Sequence, residues 1–483
     1  MDNDKPNIIM IVSDQHRGDW MGCSGSKIVH TPNLDRMANE GVHFTQAYCN
    51  SPLCVPSRMS MLSGRYPHHT KVYTNNDHLA SDIPTFAHAL GLGGYETVLC
   101  GRMHFLGPDQ RHGYQKRLVG DVTPCYLGGP GTPYGELGGT SGQGLASITK
   151  AGPGTSPVLR YDERVISTCE RFLEERSSDS SRPLFLSVCF YGPHHPYTCP
   201  PDLYEQALDA MEKYDTPIPR DELPRHPWIH DWFERLQADE ITPEQLKVAR
   251  ACYAGLITLV DSYVGRILRA AKSLPGPTWI VYVSDHGDMA GDRGMFWKRN
   301  FFEGAVRVPM IWYKQVQKNP NKTYGRRVDF PVSLIDLAPT LVNLSKSPKM
   351  MGLDGEDISC LLEDELDIDR EYWRRRPVFA ELVNSADSAT RMIIKDNMKL
   401  IAHHGFDPVR MFDLKKDPLE QQDLAQKQEF QEIRDNLLAM LMADWDPEQA
   451  LRDSNAKEQD HNYLRKWGEQ VGMEQSDLWD YNG

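Results

Sequence analysis

The sequence predicts an α/β protein: a large, doubly wound, mostly parallel sheet flanked by helices, followed by a smaller C-terminal α+β subdomain built on an antiparallel sheet. Apolar runs typical of strands buried on both faces alternate with amphipathic helical patterns, which predicts the large unit. Near residue 376 the pattern changes to short strands joined by turns, which predicts the second unit. We therefore expect one domain over residues 1–375 and another over residues 376–483.

Four apolar runs are the predicted strands of greatest interest, because each leads into polar residues that can carry chemistry. The runs and their following residues are 7–12 before Asp14 and Gln15, 97–100 before Arg102 and His104, 184–190 before His194 and His195, and 279–283 before Asp285, His286 and Asp288. Ligands of open parallel sheets bind at the carboxyl ends of the strands. We expect these polar residues to meet at one edge of the sheet.

The remaining elements complete the expected order. Helical patterns cover residues 33–40, 83–92, 161–175, 241–272, 333–342 and 429–444. Short strands of the second unit are predicted over residues 378–382, 389–394 and 398–402. Residues 123–157 and 200–227 predict irregular surface excursions, and the charged tail after Pro447 predicts a solvated extension.

Composition and charge narrow the class of protein. A net charge of −14 with 40% hydrophobic residues describes an ordinary globular protein and argues against binding to nucleic acid or to an anionic membrane. The N-terminus lacks the pattern of a signal peptide, and no apolar run predicts a membrane span. The ten scattered cysteines suit a reducing compartment. We expect a cytoplasmic protein, although a trimmed secreted or periplasmic form would have the same features.

The segment from Cys54 to Arg65 is the most informative stretch of the sequence for function. Pro56 suits the first helical residue and Gly64 suits the stop, so Cys54 is predicted just before a helix N-terminus. Free N–H groups and the helix dipole favour anions and thiolates there, and Arg58 lies one turn into the helix. The alternative interpretation is a small buried apolar cysteine.

The pattern Cys54-x-Pro56-Ser57-Arg58 followed by Ser63-Gly64-Arg65 resembles the signature of type I sulfatases, which belong to the alkaline phosphatase superfamily. The resemblance extends over most of the chain and implies an alkaline-phosphatase-like large domain. It also implies that a maturation enzyme oxidises Cys54 to formylglycine, an aldehyde that acts as its hydrate. The predicted reaction is hydrolysis of a sulfate monoester.

Oxygen-bearing residues at two strand ends predict a site for one divalent cation. Asp14 and Asp285 supply charge and Gln15 supplies a neutral carbonyl oxygen, as calcium prefers. The resemblance implies that these residues, His286 and the side chain at position 54 bind the ion together. The imidazole leaves manganese or zinc as alternatives, and a helix-capping role is the alternative for each aspartate alone.

The resemblance also implies a set of cationic catalytic residues. Arg58, Lys298 and His104 match positions that hold the formylglycine and the sulfate, and His194 matches the position that meets the leaving-group oxygen. Relatives usually carry lysine where this chain has Arg102, which keeps the charge but cannot act as a small proton-donating ammonium.

The sequence leaves open whether the alcohol portion of the substrate is choline-like or a sugar. The segments 48–54, 103–110, 284–289 and 444–447 most resemble choline-sulfatase-like members, and Tyr73, Tyr197 or Trp297 could cage an ammonium group. A sugar sulfate is the slightly favoured interpretation because polar side chains follow the motifs: Asn75, Asn76, Asp77, His78, Asp109 and His112. A phosphonate monoester or phosphodiester hydrolase and a non-catalytic anion- or sugar-binding protein are the rival hypotheses. Tails of relatives can cross to a neighbouring subunit, so a homo-oligomer is also considered.

Overall fold

The computed structural model describes residues 5–177, 181–220, 226–315, 325–363, 368–385, 388–472, 474–475 and 477–480. Its strands, in chain order, are β1 (Asn7–Asp14), β2 (Val42–Tyr48), β3 (Glu96–Gly101), β4 (Lys116–Val119), β5 (Gly152–Pro153), β6 (Leu184–Pro193), β7 (Thr198–Cys199), β8 (Thr278–Ser284), β9 (Arg307–Val308), β10 (Met310–Gln315), β11 (Arg326–Ser333), β12 (Val378–Ser385), β13 (Ser388–Lys395), β14 (Met398–His403) and β15 (Phe406–Asp413).

Helices surround these strands. They are α1 (Pro32–Glu40), α2 (Cys54–Ser63), α3 (Pro67–Thr70), α4 (Phe86–Leu92), α5 (Leu145–Thr149), α6 (Pro157–Arg176), α7 (Pro201–Tyr214), α8 (Pro227–Leu236), α9 (Pro243–Ala270), α10 (Glu303–Val306), α11 (Leu337–Leu344), α12 (Arg370–Arg375), α13 (Gln431–Leu441) and α14 (Pro447–Gln470).

The large sheet has the order β11-β2-β10-β8-β1-β6-β3-β4, with β9 paired to β2. β10 runs antiparallel to both of its neighbours, whereas β8, β1, β6, β3 and β4 are parallel. Alternate residues of β1 enter two different cores: Ile8 and Met10 pack on one face, and Ile9 and Ile11 on the other. Burial on both faces explains why these strands are continuously apolar. The predicted fold class is confirmed.

Register brings the predicted strand ends together. Asp14 in β1 lies opposite Pro193 in β6, and Ser13 lies opposite Ser284 in β8. Gly101 at the end of β3 lies opposite Cys189 in β6. Because these strands are parallel, the residues that follow them emerge at the same edge of the sheet.

The C-terminal unit is a four-stranded antiparallel sheet, β12-β13-β14-β15, as predicted. A buried lysine ties it to the large unit, because Lys399 in β14 pairs with Glu303 at 3.1 Å and with Glu420 at 2.8 Å. The division at residue 376 stays a prediction.

Two segments differ from the sequence-based expectation. Residues 200–227 were expected to be irregular, but they contain the helix α7, which begins with Pro201 and buries Ala207 and Met211. The tail contains a 24-residue helix, Pro447–Gln470, capped by the Asp446 carboxylate, which accepts a hydrogen bond from Gln449 N. A capping aspartate followed by proline favours a helix start, and this outweighs the weak apolar periodicity.

Within the described part of the chain, one helical stretch, Pro243–Ser273, is long and apolar enough to cross a membrane by length and composition alone. In the structure, 78% of its most apolar window is buried inside the protein. The stretch is α9 and the turn after it, and α9 packs against α6, α7 and β6 as a core helix.

Candidate active site

The helix α2 begins at Cys54, two residues before Pro56, the predicted first helical residue. The entire helix is buried, and Asn75 Oδ1 accepts a hydrogen bond from Val55 N at 3.0 Å, which satisfies one free donor of the first turn. Gly64 ends the helix as predicted, with φ of 69° and its N–H donating to Ser60 O. Cys54 therefore lies in the first turn, where the helix dipole favours negative charge.

Four residues form a compact acidic cluster at the edge of the sheet. The ligating atoms of Asp14, Cys54, Asp285 and His286 lie within 4.8 Å of one another, and all four residues are buried. His286 Nδ1 lies 3.0 Å from Gly287 O, so that nitrogen carries the proton and Nε2 presents its lone pair to the cluster. Two carboxylates, an imidazole nitrogen and a sulfur within this distance fit a divalent cation.

Gln15 lies beside this acidic cluster but already has polar partners. Its backbone adopts a φ of 69°, and its N–H donates to Asp285 Oδ1 at 3.0 Å. The side-chain Oε1 accepts a hydrogen bond from Lys298 Nζ at 2.6 Å, while Nε2 donates to Asp288. The side-chain oxygen of Gln15 therefore contacts the cationic Lys298, and its backbone N–H contacts Asp285 of the acidic cluster.

Two arginines balance the charge of the acidic cluster. Arg58 donates to Asp285 Oδ2 at 2.8 Å and to Asp14 Oδ2 at 3.1 Å, and Arg102 Nε lies 3.0 Å from Asp14 Oδ2. Burial and the nearby Cys54 would raise the pKa of Asp14, but Arg102, His194 and Arg58 outweigh them and lower it to about 2. Asp14 is therefore anionic at neutral pH.

The sulfur of Cys54 lies next to a lysine ammonium and an imidazole nitrogen. Lys298 Nζ and His286 Nε2 each lie 3.3 Å from Sγ. Burial alone would raise the pKa of the Cys54 thiol, but Lys298, His286 and hydrogen bonds from His104 and His194 lower it well below its usual value. Position 54 is therefore built to hold negative charge.

Lys298 also contacts the predicted leaving-group histidine. Its Nζ lies 2.7 Å from His194 Nε2, while His194 Nδ1 lies 2.6 Å from His195 O. The flanking residues Trp297 and Arg299 both have a φ of 63°, an uncommon backbone conformation for side chains of this size. Asp288 Oδ1 anchors this strained turn by accepting a hydrogen bond from Trp297 N at 2.9 Å.

Arg102 makes three contacts that a lysine could not make together. Besides its pairing with Asp14, its Nη2 lies 2.9 Å from His104 Nδ1, and its guanidinium lies 4.4 Å above the ring of Tyr191. Asp121 accepts a hydrogen bond from His104 N at 2.8 Å. Tyr191 and Asp121 were missed by the sequence analysis, because neither belongs to a recognisable motif.

Each predicted substrate-binding residue has a local contact or an exposed position. Asn75 caps α2, and Asn76 is exposed. Asp109 accepts hydrogen bonds from the N–H groups of Arg111 and His112, which closes a turn. None of the hydrogen bonds or ion pairs found for Asp109 and His112 within the described ranges reaches the acidic cluster.

The three aromatic residues suggested for an ammonium cage are buried, and their polar atoms have partners. Trp297 Nε1 donates to Ser147 Oγ at 2.9 Å, Tyr197 OH donates to Asp288, and Tyr73 OH donates to Asp453 at 3.4 Å. Burial with satisfied polar atoms is typical of packing.

Comparisons with known proteins agree with this geometry. A family model described as Sulfatase matches residues 6–347, and one described as N-sulphoglucosamine sulphohydrolase, C-terminal, matches residues 291–445. A choline-sulfatase of Rhizobium meliloti is 33% identical, covering 95% of this chain and 91% of the relative. An arylsulfatase of Clostridium perfringens is 29% identical, covering 91% and 94%. The structure of a phosphonate monoester hydrolase of Agrobacterium radiobacter has a TM-score of 0.73 at 24% identity, covering 93% and 96%.

The fold and the arginine-bridged acidic cluster define an enzyme of the alkaline-phosphatase-like group. The sequence matches make the assignment more specific: the chain belongs to the sulfatase family. It is therefore a sulfuric ester hydrolase, in a family for which formylglycine and calcium are typical. The solved phosphonate hydrolase is similar to this chain in fold alone.

Proposed function

We propose that this protein hydrolyses the sulfate monoester of a sugar or of a choline-type alcohol, with formylglycine at position 54 and one divalent cation. The observation that carries the proposal is the position of Cys54 Sγ, which lies within 4.8 Å of the ligating atoms of Asp14, Asp285 and His286 and 3.3 Å from Lys298. Metal ligands and a cation therefore approach the same side chain from different elements. A buried cysteine with a purely packing role requires neither.

The residues around position 54 suit one divalent ion. Asp14, Asp285 and the carbonyl oxygen of Gln15 favour calcium, and the imidazole nitrogen of His286 makes manganese and zinc the alternatives. A bound ion would supply positive charge to hold the sulfate and to favour the ionised nucleophile. Arg58 keeps both aspartates oriented through its two hydrogen bonds.

Other side chains of the site are assigned to sulfate binding and to proton transfer. Lys298, His104 and Arg102 provide donors for the sulfate oxygens, whose charge is spread in the transition state. His194 Nε2 is assigned the proton transfer to the oxygen of the departing alcohol. Lys298 Nζ lies 2.7 Å from this nitrogen and can exchange a proton with it. Formylglycine at position 54 would supply two hydroxyl groups as its hydrate, one as the nucleophile and a second that allows sulfate to leave, an exit that serine or cysteine lacks.

Replacement of the nucleophile tests the proposal. We expect Cys54→Ala and His194→Ala to abolish turnover of an aryl sulfate while the circular dichroism spectrum stays native. Mass spectrometry of the intact Cys54 peptide, from a host that carries the maturation enzyme, should show the aldehyde. Unchanged activity in Cys54→Ala would refute the assignment.

The first rival hypothesis is a phosphonate monoester or phosphodiester hydrolase. The fold similarity to the Agrobacterium radiobacter enzyme is compatible with this hypothesis. Matched aryl sulfate and aryl phosphonate esters discriminate between the two, and a strong preference for the phosphonate would favour the rival. A non-catalytic anion- or sugar-binding protein is the second rival. It predicts an unmodified thiol and no hydrolysis in material from the native host.

Three further predictions remain proposals: maturation by a formylglycine-generating enzyme, a cytoplasmic location and a homo-oligomer. For the last, the described end of the tail packs on its own chain. Asp121 N donates to Asp477 O at 2.8 Å, and Trp479 N donates to Asp121 O at 2.7 Å. Size-exclusion chromatography with light scattering would measure the oligomeric state.

A further inference from the structure

The backbone of His104 is held by the carboxylate of Asp121. His104 has a φ of 62°, an uncommon conformation for a residue with a side chain, and its N–H donates to Asp121 Oδ2 at 2.8 Å. The imidazole is held from another direction, because Arg102 Nη2 lies 2.9 Å from Nδ1. A guanidinium only donates, so Nδ1 accepts and Nε2 carries the proton of the neutral ring. Asp121 and Arg102 together therefore set the direction of the Nε2–H group.

The carboxylate of Asp121 is buried and fixed by residues close to it in the chain. Its Oδ1 accepts hydrogen bonds from Thr123 N at 3.1 Å and from Thr123 Oγ1 at 2.7 Å. Arg117 Nη2 lies 3.6 Å from Oδ2 and provides a nearby positive charge. These contacts orient the carboxylate relative to its own loop. The position of the loop itself depends on what holds the backbone of Asp121.

That backbone is held by the C-terminal segment, a name used here for the described residues of the range 474–480. β4 is the last strand in the order of the large sheet, and Asp121 follows it by two residues. Asp121 N donates to Asp477 O at 2.8 Å, and Trp479 N donates to Asp121 O at 2.7 Å, which makes a parallel β-bridge. The segment therefore extends the edge of the sheet at the residue that holds His104.

Two features of the large domain suit this docking. A Cβ atom at position 120 would collide with the backbone oxygen of Asp477, so Gly120 allows the close approach of the C-terminal segment. The ring of Trp479 lies 5.3 Å from the ring of Tyr161, whose OH donates to Gly120 O at 2.8 Å. A glycine thus admits the segment, and an aromatic contact anchors it beside the same loop.

We propose that Asp121 is a positioning residue for His104 and that the C-terminal segment holds Asp121 in place. This inference rests on the proposed sulfatase function, in which His104 donates to the sulfate. Asp121 acts through the backbone of His104, and the segment acts through the backbone of Asp121. A directed donor contributes most where charge develops in the transition state. Its misplacement should therefore lower kcat more than it raises KM.

Full-length variants, matured in a host that carries the maturation enzyme, test the inference. Asp121→Ala removes the acceptor of the His104 N–H, whereas Asp121→Asn keeps a carbonyl oxygen there. Gly120→Ala obstructs docking of the C-terminal segment, and Trp479→Ala removes its aromatic anchor. Tyr463→Ala is the matched control, because it removes an aromatic side chain of α14 that is 75% exposed.

Two readouts are measured for each variant. The first is kcat and KM for an aryl sulfate. The second is the ¹³Cε1 nuclear magnetic resonance signal of His104, assigned by its loss in His104→Gln, which reports the surroundings of the ring without any turnover. Circular dichroism confirms that each variant is folded.

We expect Asp121→Ala to lower kcat by about tenfold or more, with a smaller change in KM, and to shift the His104 signal. Asp121→Asn should restore part of both. Gly120→Ala and Trp479→Ala should shift the signal and lower kcat to a smaller extent, while Tyr463→Ala should match the parent protein. If Asp121→Ala does not fold, Asp121→Asn is compared with the parent instead.

Three results would overturn the inference. The first is a parent kcat and a parent His104 signal in the folded Asp121 variants. The second is a lowered kcat with an unchanged His104 signal. The third is parent behaviour in both Gly120→Ala and Trp479→Ala, which would overturn the role of the C-terminal segment.

The two readouts separate this inference from the proposed function. If the matured parent protein hydrolyses no sulfate ester, the proposed function fails, and the His104 signal still decides whether Asp121 and the C-terminal segment position that residue. If the parent protein hydrolyses an aryl sulfate and the variants keep its kcat and its His104 signal, only the inference fails.

Discussion

Lys298 offers the sharpest test of how the site holds negative charge. Its ammonium has three contacts: Gln15 Oε1 at 2.6 Å, His194 Nε2 at 2.7 Å and Cys54 Sγ at 3.3 Å. Lys298→Met removes the charge and keeps most of the volume. The variant is made in unmodified, chelator-treated protein, where position 54 is still a thiol.

The expected effect on the thiol follows from the 3.3 Å separation of Nζ and Sγ. At an effective dielectric constant of about 20, two unit charges at that distance attract by about 5 kcal/mol. Since His286 and reorganised water would compensate part of this loss, we expect a decrease of about tenfold or more in the acid dissociation constant of Cys54. The pKa of Cys54 should rise.

Ultraviolet absorbance of the thiolate measures this pKa as a function of pH, with the Cys54→Ala titration subtracted. The subtraction removes the signal of the other cysteines, among which burial raises the pKa of Cys189 and of Cys125 to about 12. Lys298→Arg is the matched control, because it keeps the charge. An unchanged Cys54 titration in folded Lys298→Met would refute the electrostatic account.

Two further predictions concern stability. Lys399→Met leaves the carboxylates of Glu303 and Glu420 without the buried ammonium, so the free energy of unfolding should fall by about 3–5 kcal/mol; an unchanged denaturant midpoint would contradict this. Burial raises the pKa of Asp162 to about 7 from 3.8, although its carboxylate accepts hydrogen bonds from Tyr191 N and Gly192 N. The native state therefore keeps a proton that the unfolded state loses, and its stability should fall as pH rises between these values. Asp162→Asn should remove that slope, and a slope equal to that of the parent protein would count against it.

Much of the candidate site was predictable because of how parallel sheets are built. An apolar strand buried on both faces has a clear sequence pattern. A polar residue directly after it lies at the carboxyl edge of the parallel sheet. That rule predicts that Asp14 and Asp285 lie together at one edge of the sheet. Gly64 was predicted as a helix stop because it tolerates the left-handed conformation that ends α2.

Other features depend on contacts between residues far apart in the chain. The helix α14 has a clear N-terminal cap but a weakly apolar face, and its buried Ala450, Leu451 and Gly468 become recognisable only against their packing partners. Asn75 was expected to bind substrate, yet its carbonyl caps the first turn of α2. Capping across such a loop depends on a backbone path that local sequence does not determine.

The sequence by itself determined which polar residues follow the apolar strands and which cysteine lies at the start of the helix at that edge of the sheet. Only the tertiary structure decided how the cations are shared: Arg58 pairs with two aspartates, Arg102 pairs with Asp14, and Lys298 contacts the side chain at position 54. The physical reason is that strand burial is a local pattern, whereas charge pairing depends on distances between side chains brought together by folding.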